Sequence, residues 1–435
     1  MYASSARTDR RSRTLAWLSP ARHMSRISPA TRVDIALLVC ALFLQRFSLA
    51  FRNSLMSLDI VPATLILVHQ FASGRLLIQY DRLLWFLALC LATSTSLLLN
   101  FKSAMLPSYS EFVVIYSLFT LIRPSSEDRY KETLRGFQFL VALLSFLAVA
   151  QFVSQFAVDG RKIIGFFGII PDFLFASFDT NRVNTIIPIY EGSPLIKSNG
   201  IFLTEPSTMS QIAALGILVE ILEFRRLRYL LLLASGLLLS YSGTGLMIVL
   251  LFLPLASLGR KAGLPALLVV IFAFALLMTG IIDPSVFLSR TGEFENTQAS
   301  GFQRFISPFW LAADEFHNGS LRGLLLGDGS GTTDAFVATH PWYAGSSGTW
   351  IKLFHEYGLI GAFIFMLFFI SCFRRTICPR LLVAAIVFYF VALGGLLLST
   401  PFLIMMVVLC TLNRSEPQHA HFSGRSALGA PPLTG

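Results

Sequence analysis

Three stretches of this sequence, each bordering long apolar segments, carry side chains of the kinds that transfer protons and bind anions. The first covers residues 197–207 (KSNGIFLTEPS), with Lys197 at its start and Glu205 directly before Pro206. Proline is favoured in the first turn of a helix, so the Glu205 carboxylate is expected where an apolar helix begins. Glu205 is a candidate general base, although an acidic residue at a helix start can equally stabilise the helix dipole.

The second stretch is defined by Arg290 and Arg304, fourteen residues apart, and the third begins with LGDGSG at 326–331 and continues to His340. Guanidinium groups stabilise developing negative charge without a metal ion. An imidazole can act as a general base. These residues can therefore bind an anion and accept a proton, although Arg290 can also be a solvated loop charge and the glycines a simple turn.

The third stretch ends in WIKLFHEYGLIG at 350–361, where another apolar segment begins. His355 and Glu356 lie about one turn into the helix expected there. Their position favours a structural role, with a place in a substrate cavity as the alternative.

The composition predicts that these stretches are held by a membrane protein. Hydrophobic residues make up 54% of the 435 residues and charged residues only 13%, against about 25% in a typical soluble protein. None of the five cysteines forms a Cys-x-x-Cys pattern, so no metal site is predicted. The predicted fold class is therefore an all-α polytopic membrane protein.

Hydropathy predicts twelve transmembrane helices, since one span needs about 20 apolar residues. They form a single transmembrane domain, 33–412, between a basic cytoplasmic tail at 1–32 and a disordered cytoplasmic tail at 413–435. The predicted spans are 33–50, 54–72, 83–99, 104–122, 136–157, 206–222, 229–242, 243–258, 264–282, 350–372, 381–397 and 399–412.

The positions of the arginines predict the orientation of these spans. Basic residues cluster in the tails and in alternate loops, whereas the intervening short loops carry only Arg52 and Lys102. By the positive-inside rule both termini are cytoplasmic. The net charge of +10 therefore reflects orientation, and we predict no nucleic-acid partner. Two long loops, about 158–204 and 283–349, then lie on the outer side of the membrane.

Arg46, Asp59 and Glu111 fall within predicted spans, where ionised groups are costly and usually functional or paired. Arg46 and Asp59 flank one short outer loop, so they can form a structural ion pair. The alternative is that these residues line an outward-facing substrate cavity, which Gln45 beside Arg46 favours. Arg182, in the first long loop, is a further candidate for that cavity.

The sequence resembles the Wzy-type polysaccharide polymerase and O-antigen ligase superfamily in the order of these stretches, in their spacing and in the side of the membrane predicted for them. The resemblance rests on Glu-Pro-Ser at 205–207, Ser-Gly-Thr-Gly at 242–245, the arginine-bearing outer loop, LGDGSG and HEYGLIG. It covers the second half of the chain, whereas the first half contributes only hydropathy. Length and layout are also similar to exopolysaccharide polymerases of the xanthan type.

The resemblance implies a glycosyltransferase of the bacterial inner membrane with its active site facing the periplasm. It would polymerise oligosaccharide repeat units carried on undecaprenyl pyrophosphate, without a metal or other cofactor. Arg290, Arg304 and Lys197 are then candidates for binding the pyrophosphate, and Glu205 or His340 for the general base. A flippase and chain-length or export proteins are the implied protein partners.

Two departures from the superfamily pattern bear on the alternatives. Lys197 stands where many relatives have arginine, which keeps the charge but loses the bidentate guanidinium geometry. O-antigen ligases resemble one another in a histidine eleven residues before the glycine that corresponds to Gly358. Here that position is Ser347, which favours a polymerase over a ligase. The alternative from another class is a lipid-linked oligosaccharide flippase or transporter, but transporters often have two related halves and this sequence shows none.

Overall fold

The computed structural model describes residues 28–51, 54–158, 186–190, 192–258, 263–278, 294–297, 299–340 and 348–415. This part of the chain is mainly helical, as hydropathy predicts, with a few short strands. In chain order the helices are α1 Pro29–Phe43, α2 Ile60–Ala72, α3 Tyr80–Leu99, α4 Leu106–Ser117, α5 Glu127–Ser154, α6 Pro206–Val219, α7 Leu227–Leu239, α8 Gly243–Ser257, α9 Gly263–Met278, α10 Ser300–Phe305, α11 Ser307–Asn318, α12 Leu321–Leu326, α13 Thr332–Thr339, α14 Thr349–Phe373, α15 Arg380–Ala392 and α16 Thr400–Met406. A 3₁₀ turn, Leu118–Thr120, follows α4, and π-helical turns extend α6 (Glu220–Phe224) and α16 (Val407–Thr411).

Four helices in the described residues are long and apolar enough to cross a membrane, namely α3, α5, α14 and α6 together with its π-helical turn. Shorter apolar helices accompany them, and a helix overlaps each of the twelve predicted spans. This architecture is consistent with a polytopic membrane protein. The number of spans and their orientation stay predictions.

The predicted limits of the first two spans are wrong, because a hairpin interrupts them. β1 (Ser48–Phe51) pairs antiparallel with β2 (Ser54–Ser57), with Ser48 opposite Ser57. Helix α1 therefore ends at Phe43, well before residue 50, and α2 starts only at Ile60. Strand pairing satisfies the backbone polar groups of this connection.

A second small sheet joins distant parts of the chain. β4 (Leu121–Ser125) lies between β3 (Leu77–Ile78), to which it is antiparallel, and β5 (Asn413–Ser415), to which it is parallel. Residues 413–415, predicted as the beginning of a disordered tail, are thus paired with β4. The rest of that tail lies outside the described residues.

Helix α6 forms the centre of the bundle and carries Glu205 at its start. It packs against α5, α7 and α8, and every residue from Met209 to Val219 is buried. Small residues permit this close packing. At Gly216, for example, an added Cβ would lie 3.1 Å from a Val141 methyl group.

Arg82, near the start of α3, ties several helix ends together. Its guanidinium donates hydrogen bonds to the carbonyls of Phe119 (3.0 Å), Thr411 (3.0 Å) and Cys372 (2.7 Å). Carbonyls at helix C-termini lack intrahelical partners and carry partial negative charge, so a buried arginine stabilises this meeting point. The ends of α14, α16 and the α4 segment therefore converge on one end of the bundle.

A buried ion pair lies between α1 and the segment after α4. Asp34 and Arg123 are both buried and in contact through their charged groups. Asp34 also accepts hydrogen bonds from Thr133 (2.8 Å) and Asn413 (3.1 Å). Such a fully hydrogen-bonded network can hold a buried charge that would otherwise be very costly.

Candidate active site

The loop before α6 is fixed by hydrogen bonds from its own residues and from α5. Asn199 accepts a hydrogen bond from the Ile201 amide at its side-chain oxygen (3.0 Å), and its own amide donates to the side chain of Gln151 (3.1 Å). Gly200 has φ +68°, and an added Cβ there would lie 3.0 Å from a carbonyl oxygen of α5. Glycine therefore allows this turn to pack tightly, which sets the direction in which the chain enters α6.

Glu205 stands directly before α6, as predicted, and faces Arg304 of α10. Its carboxylate makes no hydrogen bond to the helix backbone; instead it accepts one from Ser207 Oγ at 2.6 Å. Its Oε2 lies 3.5 Å from Nη2 of Arg304, with the two side chains 31% and 14% exposed. The structure thus places together two residues that are 99 positions apart in the sequence.

The Nε–H group of Arg304 is buried and has no hydrogen-bond partner among the described residues. Burying an unsatisfied donor costs about 1–3 kcal/mol. An acceptor oxygen of a bound anion would remove that cost, because guanidinium presents Nε–H and Nη–H in parallel to a phosphate or carboxylate.

Glu205 and Arg304 open into a cavity of about 210 Å³ between α1, α6, α15 and α16. Its polar lining groups come from helices and loops that are far apart in sequence. They include Gln45, Thr204, Ser207, Thr208, Gln211, Tyr389 and Ser399. Tyr389 interacts electrostatically with both Glu205 and Arg304. A cavity with amide and hydroxyl groups around an acid–base pair suits a ligand with many hydroxyls and a charged group.

Sequence patterns do not indicate Gln211, Tyr389 and Ser399 as site residues, although all three line this cavity. Tyr389 and Gln211 lie inside apolar helices and belong to no recognisable motif. The only sequence signal for them is that such polar residue types are rare in apolar helices. Ser399 follows Gly394 and Gly395, which also line the cavity. The sequence signal for Ser399 is that two glycines and a Ser-Thr-Pro sequence lie between two short apolar segments.

Arg46 and Asp59 are buried, but they lie at the two ends of the β1–β2 connection and not inside helices. The Arg46 guanidinium donates a hydrogen bond to the Ile201 carbonyl in the loop before α6. Arg46 therefore supports the loop that positions Glu205. Pairing between Arg46 and Asp59 stays a prediction, whereas Gln45, the neighbour of Arg46, does line the cavity.

The other predicted site residues are distributed differently. Lys197 is half-buried in the loop before α6 and is not among the described residues that line the cavity. His340 directly follows α13, where its Nδ1 donates to the Phe336 carbonyl (3.0 Å) and its ring stacks on Phe336. His340 is not among the described residues that line the cavity of Glu205 and Arg304, and its role as general base stays a prediction. Arg290 and Arg182 lie outside the described residues.

Glu111, on α4, belongs to a chain of alternating charges near the start of α14. It interacts electrostatically with Lys352 and contacts the Thr400 hydroxyl, and Thr400 follows the cavity residue Ser399. Nζ of Lys352 lies 3.9 Å from Oε1 of the buried Glu356, which also accepts a hydrogen bond from Thr333 (3.0 Å). The sequence signal for Lys352 is its i,i+4 spacing from Glu356, which is the spacing of helical ion pairs.

The glycine-rich turn at 327–331 is bonded to a kink in α14. Asp328 and Gly329 donate backbone hydrogen bonds to the carbonyls of His355 (2.9 Å) and Glu356 (3.0 Å). Gly358 has φ +66° inside α14, and an added Cβ there would lie 2.4 Å from the Leu325 carbonyl carbon. The LGDGSG and HEYGLIG sequences therefore form one structural unit, in which only glycine permits this backbone contact.

His355 lies at that kink with two carboxylates beside it. Its Nδ1 is 2.6 Å from Oε1 of Glu315 on α11 and 4.0 Å from Oδ2 of Asp328. Partial burial raises the pKa of Asp328 above its usual range, an effect that the nearby His355 opposes. None of these three residues is among those that line the Glu205 cavity, so they form a cluster distinct from that cavity.

Comparison with known proteins identifies the family. A model of the WcaD colanic acid polymerase family matches residues 33–415, which includes every helix from α2 to α16 and most of α1. No curated protein matches the chain. Because the match covers most of the sequence, the chain belongs to the WcaD colanic acid polymerase family, a Wzy-type polymerase family, which confirms the predicted resemblance.

Proposed function

We propose that this protein polymerises lipid-linked oligosaccharide repeat units into a polysaccharide, and that glycosyl transfer takes place in the cavity between Glu205 and Arg304. Family membership supports polymerisation of repeat units. The finer parts of the proposal are an undecaprenyl pyrophosphate donor, a site open to the periplasm of the inner membrane, and transfer without a metal ion. The xanthan-type likeness and the protein partners stay predictions.

The observation that carries the proposal is the paired geometry of Glu205 and Arg304. Glycosyl transfer from a pyrophosphate needs a group that accepts the proton of the attacking hydroxyl and a cation that stabilises the leaving anion. Glu205 and Arg304 supply these two groups 3.5 Å apart. The buried Nε–H of Arg304, unpaired among the described residues, is the donor that a phosphate oxygen would satisfy.

In the proposed reaction a hydroxyl of the acceptor repeat unit loses its proton to the Glu205 carboxylate. The hydroxyl oxygen forms a bond with the anomeric carbon of the donor sugar, while the bond from that carbon to the pyrophosphate oxygen breaks. The electron pair leaves with the pyrophosphate, which remains on its lipid. Arg304 stabilises the charge on this leaving group, and Arg290 and Lys197 are further candidates for the same task.

The polar lining of the cavity suits the sugar parts of the substrates. The amide groups of Gln45 and Gln211 and the Ser399 hydroxyl can donate and accept hydrogen bonds, as sugar hydroxyls require. Tyr389 adds an aromatic ring with a polar end.

The proposal can be tested in a strain that lacks the gene and carries a plasmid with the wild type or Arg304→Lys. Lysine keeps the charge but cannot form the bidentate contact. Arg129→Lys is the matched control, because Arg129 is half-buried at the start of α5 and is not among the residues that line the cavity. The lipid-linked saccharides are sized on gels, and their exposure on the outer face is measured with an impermeant label.

The expected result is that Arg304→Lys accumulates single repeat units exposed on the outer face, with little polymer, while Arg129→Lys resembles the wild type. Polymer of normal length in the Arg304→Lys strain would refute the role of Arg304. In the strain without a plasmid, repeat units trapped on the inner face would indicate a flippase. Normal polymer that remains on its lipid carrier there would indicate a ligase.

A further inference from the structure

A second cluster of ionisable side chains, distinct from the Glu205 cavity, contains ligands of the kinds that bind transition metals. Glu315 comes from α11, Asp328 from the glycine-rich turn and His355 from α14. One ligand atom of each residue lies within 4.8 Å of the other two. The three segments are separate in the sequence, so their meeting depends on the tertiary structure.

The separations between these atoms are close to those around a metal ion. At a metal–ligand distance of about 2.0–2.2 Å, tetrahedral geometry places neighbouring ligand atoms about 3.3–3.6 Å apart. The observed distances from His355 Nδ1 are 2.6 Å to Glu315 and 4.0 Å to Asp328. Side-chain shifts of less than about 1 Å would therefore bring these two distances into that range.

The charge of the cluster also favours a cation. Two carboxylates face one imidazole, whose side chain is only 1% exposed. The nearby Arg322 interacts with Asp328, but its guanidinium bonds the Leu99 carbonyl and the Asn100 side chain (3.2 Å). Two ionised carboxylates so close together repel each other, and a divalent ion would offset this repulsion.

We propose that Glu315, Asp328 and His355 bind a divalent transition-metal ion, with Zn²⁺ as the best match. One imidazole nitrogen and two carboxylate oxygens suit Zn²⁺ better than Mg²⁺ or Ca²⁺, which prefer oxygen ligands throughout. His355 coordinates the ion through Nδ1, and the proton that Nδ1 shares with Glu315 is released to solvent. The Asp328 side chain is 50% exposed, which leaves access for a water molecule as a further ligand.

The bound ion has a structural role that does not depend on the proposed function. It joins α11, the glycine-rich turn and the kink of α14. Ile306 is the single residue between α10, which carries Arg304, and α11. An ion that fixes α11 therefore also restrains α10 and the position of Arg304. It takes no part in the transfer step.

The test uses full-length protein purified in detergent, stripped with a chelator and then dialysed. Zn²⁺ is added, bound metal is counted by mass spectrometry, and affinity is measured by competition with a chromophoric chelator. The variants are His355→Gln and Glu315→Gln. His317→Gln and Asp314→Asn are matched controls on the same helix, since His317 and Asp314 are absent from the cluster.

We expect one tightly bound Zn²⁺ per chain in the wild type and in both controls. Their thermal midpoint should rise with Zn²⁺ concentration. Both cluster variants should bind Zn²⁺ at least tenfold more weakly. If His355→Gln does not fold, Glu315→Gln, whose side chain is partly exposed, still decides the result. No binding by the wild type, or equal binding by all variants, would overturn the proposal. Glu205→Gln should bind Zn²⁺ normally, because Glu205 is not part of the cluster. Zn²⁺ binding therefore tests the metal site independently of the proposed polymerase activity.

Discussion

Replacing Glu205 with glutamine should abolish most of the polymerase activity while leaving the fold intact. The pair with Arg304 has a separation of 3.5 Å and both side chains are partly exposed, so its loss should cost at most about 1 kcal/mol of stability. Glutamine has nearly the same shape and can still accept the hydrogen bond from Ser207. Loss of a general base, by contrast, reduces the rate by about 10²–10⁴, or about 3–5 kcal/mol in the activation barrier.

The assay follows polymer formation from purified lipid-linked repeat units in detergent or proteoliposomes, together with thermal unfolding of the same preparations. Glu295→Gln is the matched control, because Glu295 is exposed in the same long loop as Arg304. A folded Glu205→Gln protein that retains more than about a tenth of the wild-type rate would refute the assignment of Glu205 as general base. In a double-mutant cycle with Arg304→Lys, the two losses should not add, since both residues act on the same step.

Three further predictions concern the support of the site and the bundle. Asp34→Asn removes the charge that pairs with the buried Arg123 and should lower the free energy of unfolding by about 3–5 kcal/mol, so an unchanged thermal midpoint in detergent would contradict it. Gly358→Ala places a Cβ 2.4 Å from the Leu325 carbonyl carbon at φ +66° and should prevent accumulation of folded protein. In the control Gly263→Ala the new Cβ would lie 3.9 Å from the Ser257 carbonyl oxygen, so folded protein should accumulate normally. Equal yields of the two variants would contradict this prediction. Arg46→Ala removes the hydrogen bond to the loop before α6 and should slow polymerisation by about tenfold or more through misplacement of Glu205, so a normal rate in well-folded protein would show that this bond is dispensable.

The family relation could be predicted from the sequence because its signals are local and ordered along the chain. The Glu-Pro-Ser sequence correctly predicted a helix start at Pro206, and LGDGSG and HEYGLIG predicted a turn and another helix. The structure adds that these last two sequences pack on each other through backbone atoms. Spacing alone does not show this, because the contact at Gly358 involves a residue 33 positions earlier, Leu325.

Hydropathy placed a helix at each predicted span, since apolar helices are determined by short-range composition. It did not predict the β1–β2 hairpin, because its residues are apolar enough to continue a span and pairing between strands is not encoded in hydropathy. The ion pair of Asp34 and Arg123 was also missed. Its residues lie on different elements, and the sequence records only that each is charged.

The sequence by itself determined the membrane class, the family and the presence of Glu205 at the start of a helix. The tertiary structure decided which side chains share a site. It brought Arg304 to Glu205 and surrounded the pair with Gln45, Tyr389 and Ser399, whereas His340 is not among the described lining residues. The physical reason is that helix formation depends on neighbouring residues, whereas a cavity depends on how distant helices pack, and packing contacts leave no fixed spacing in the chain.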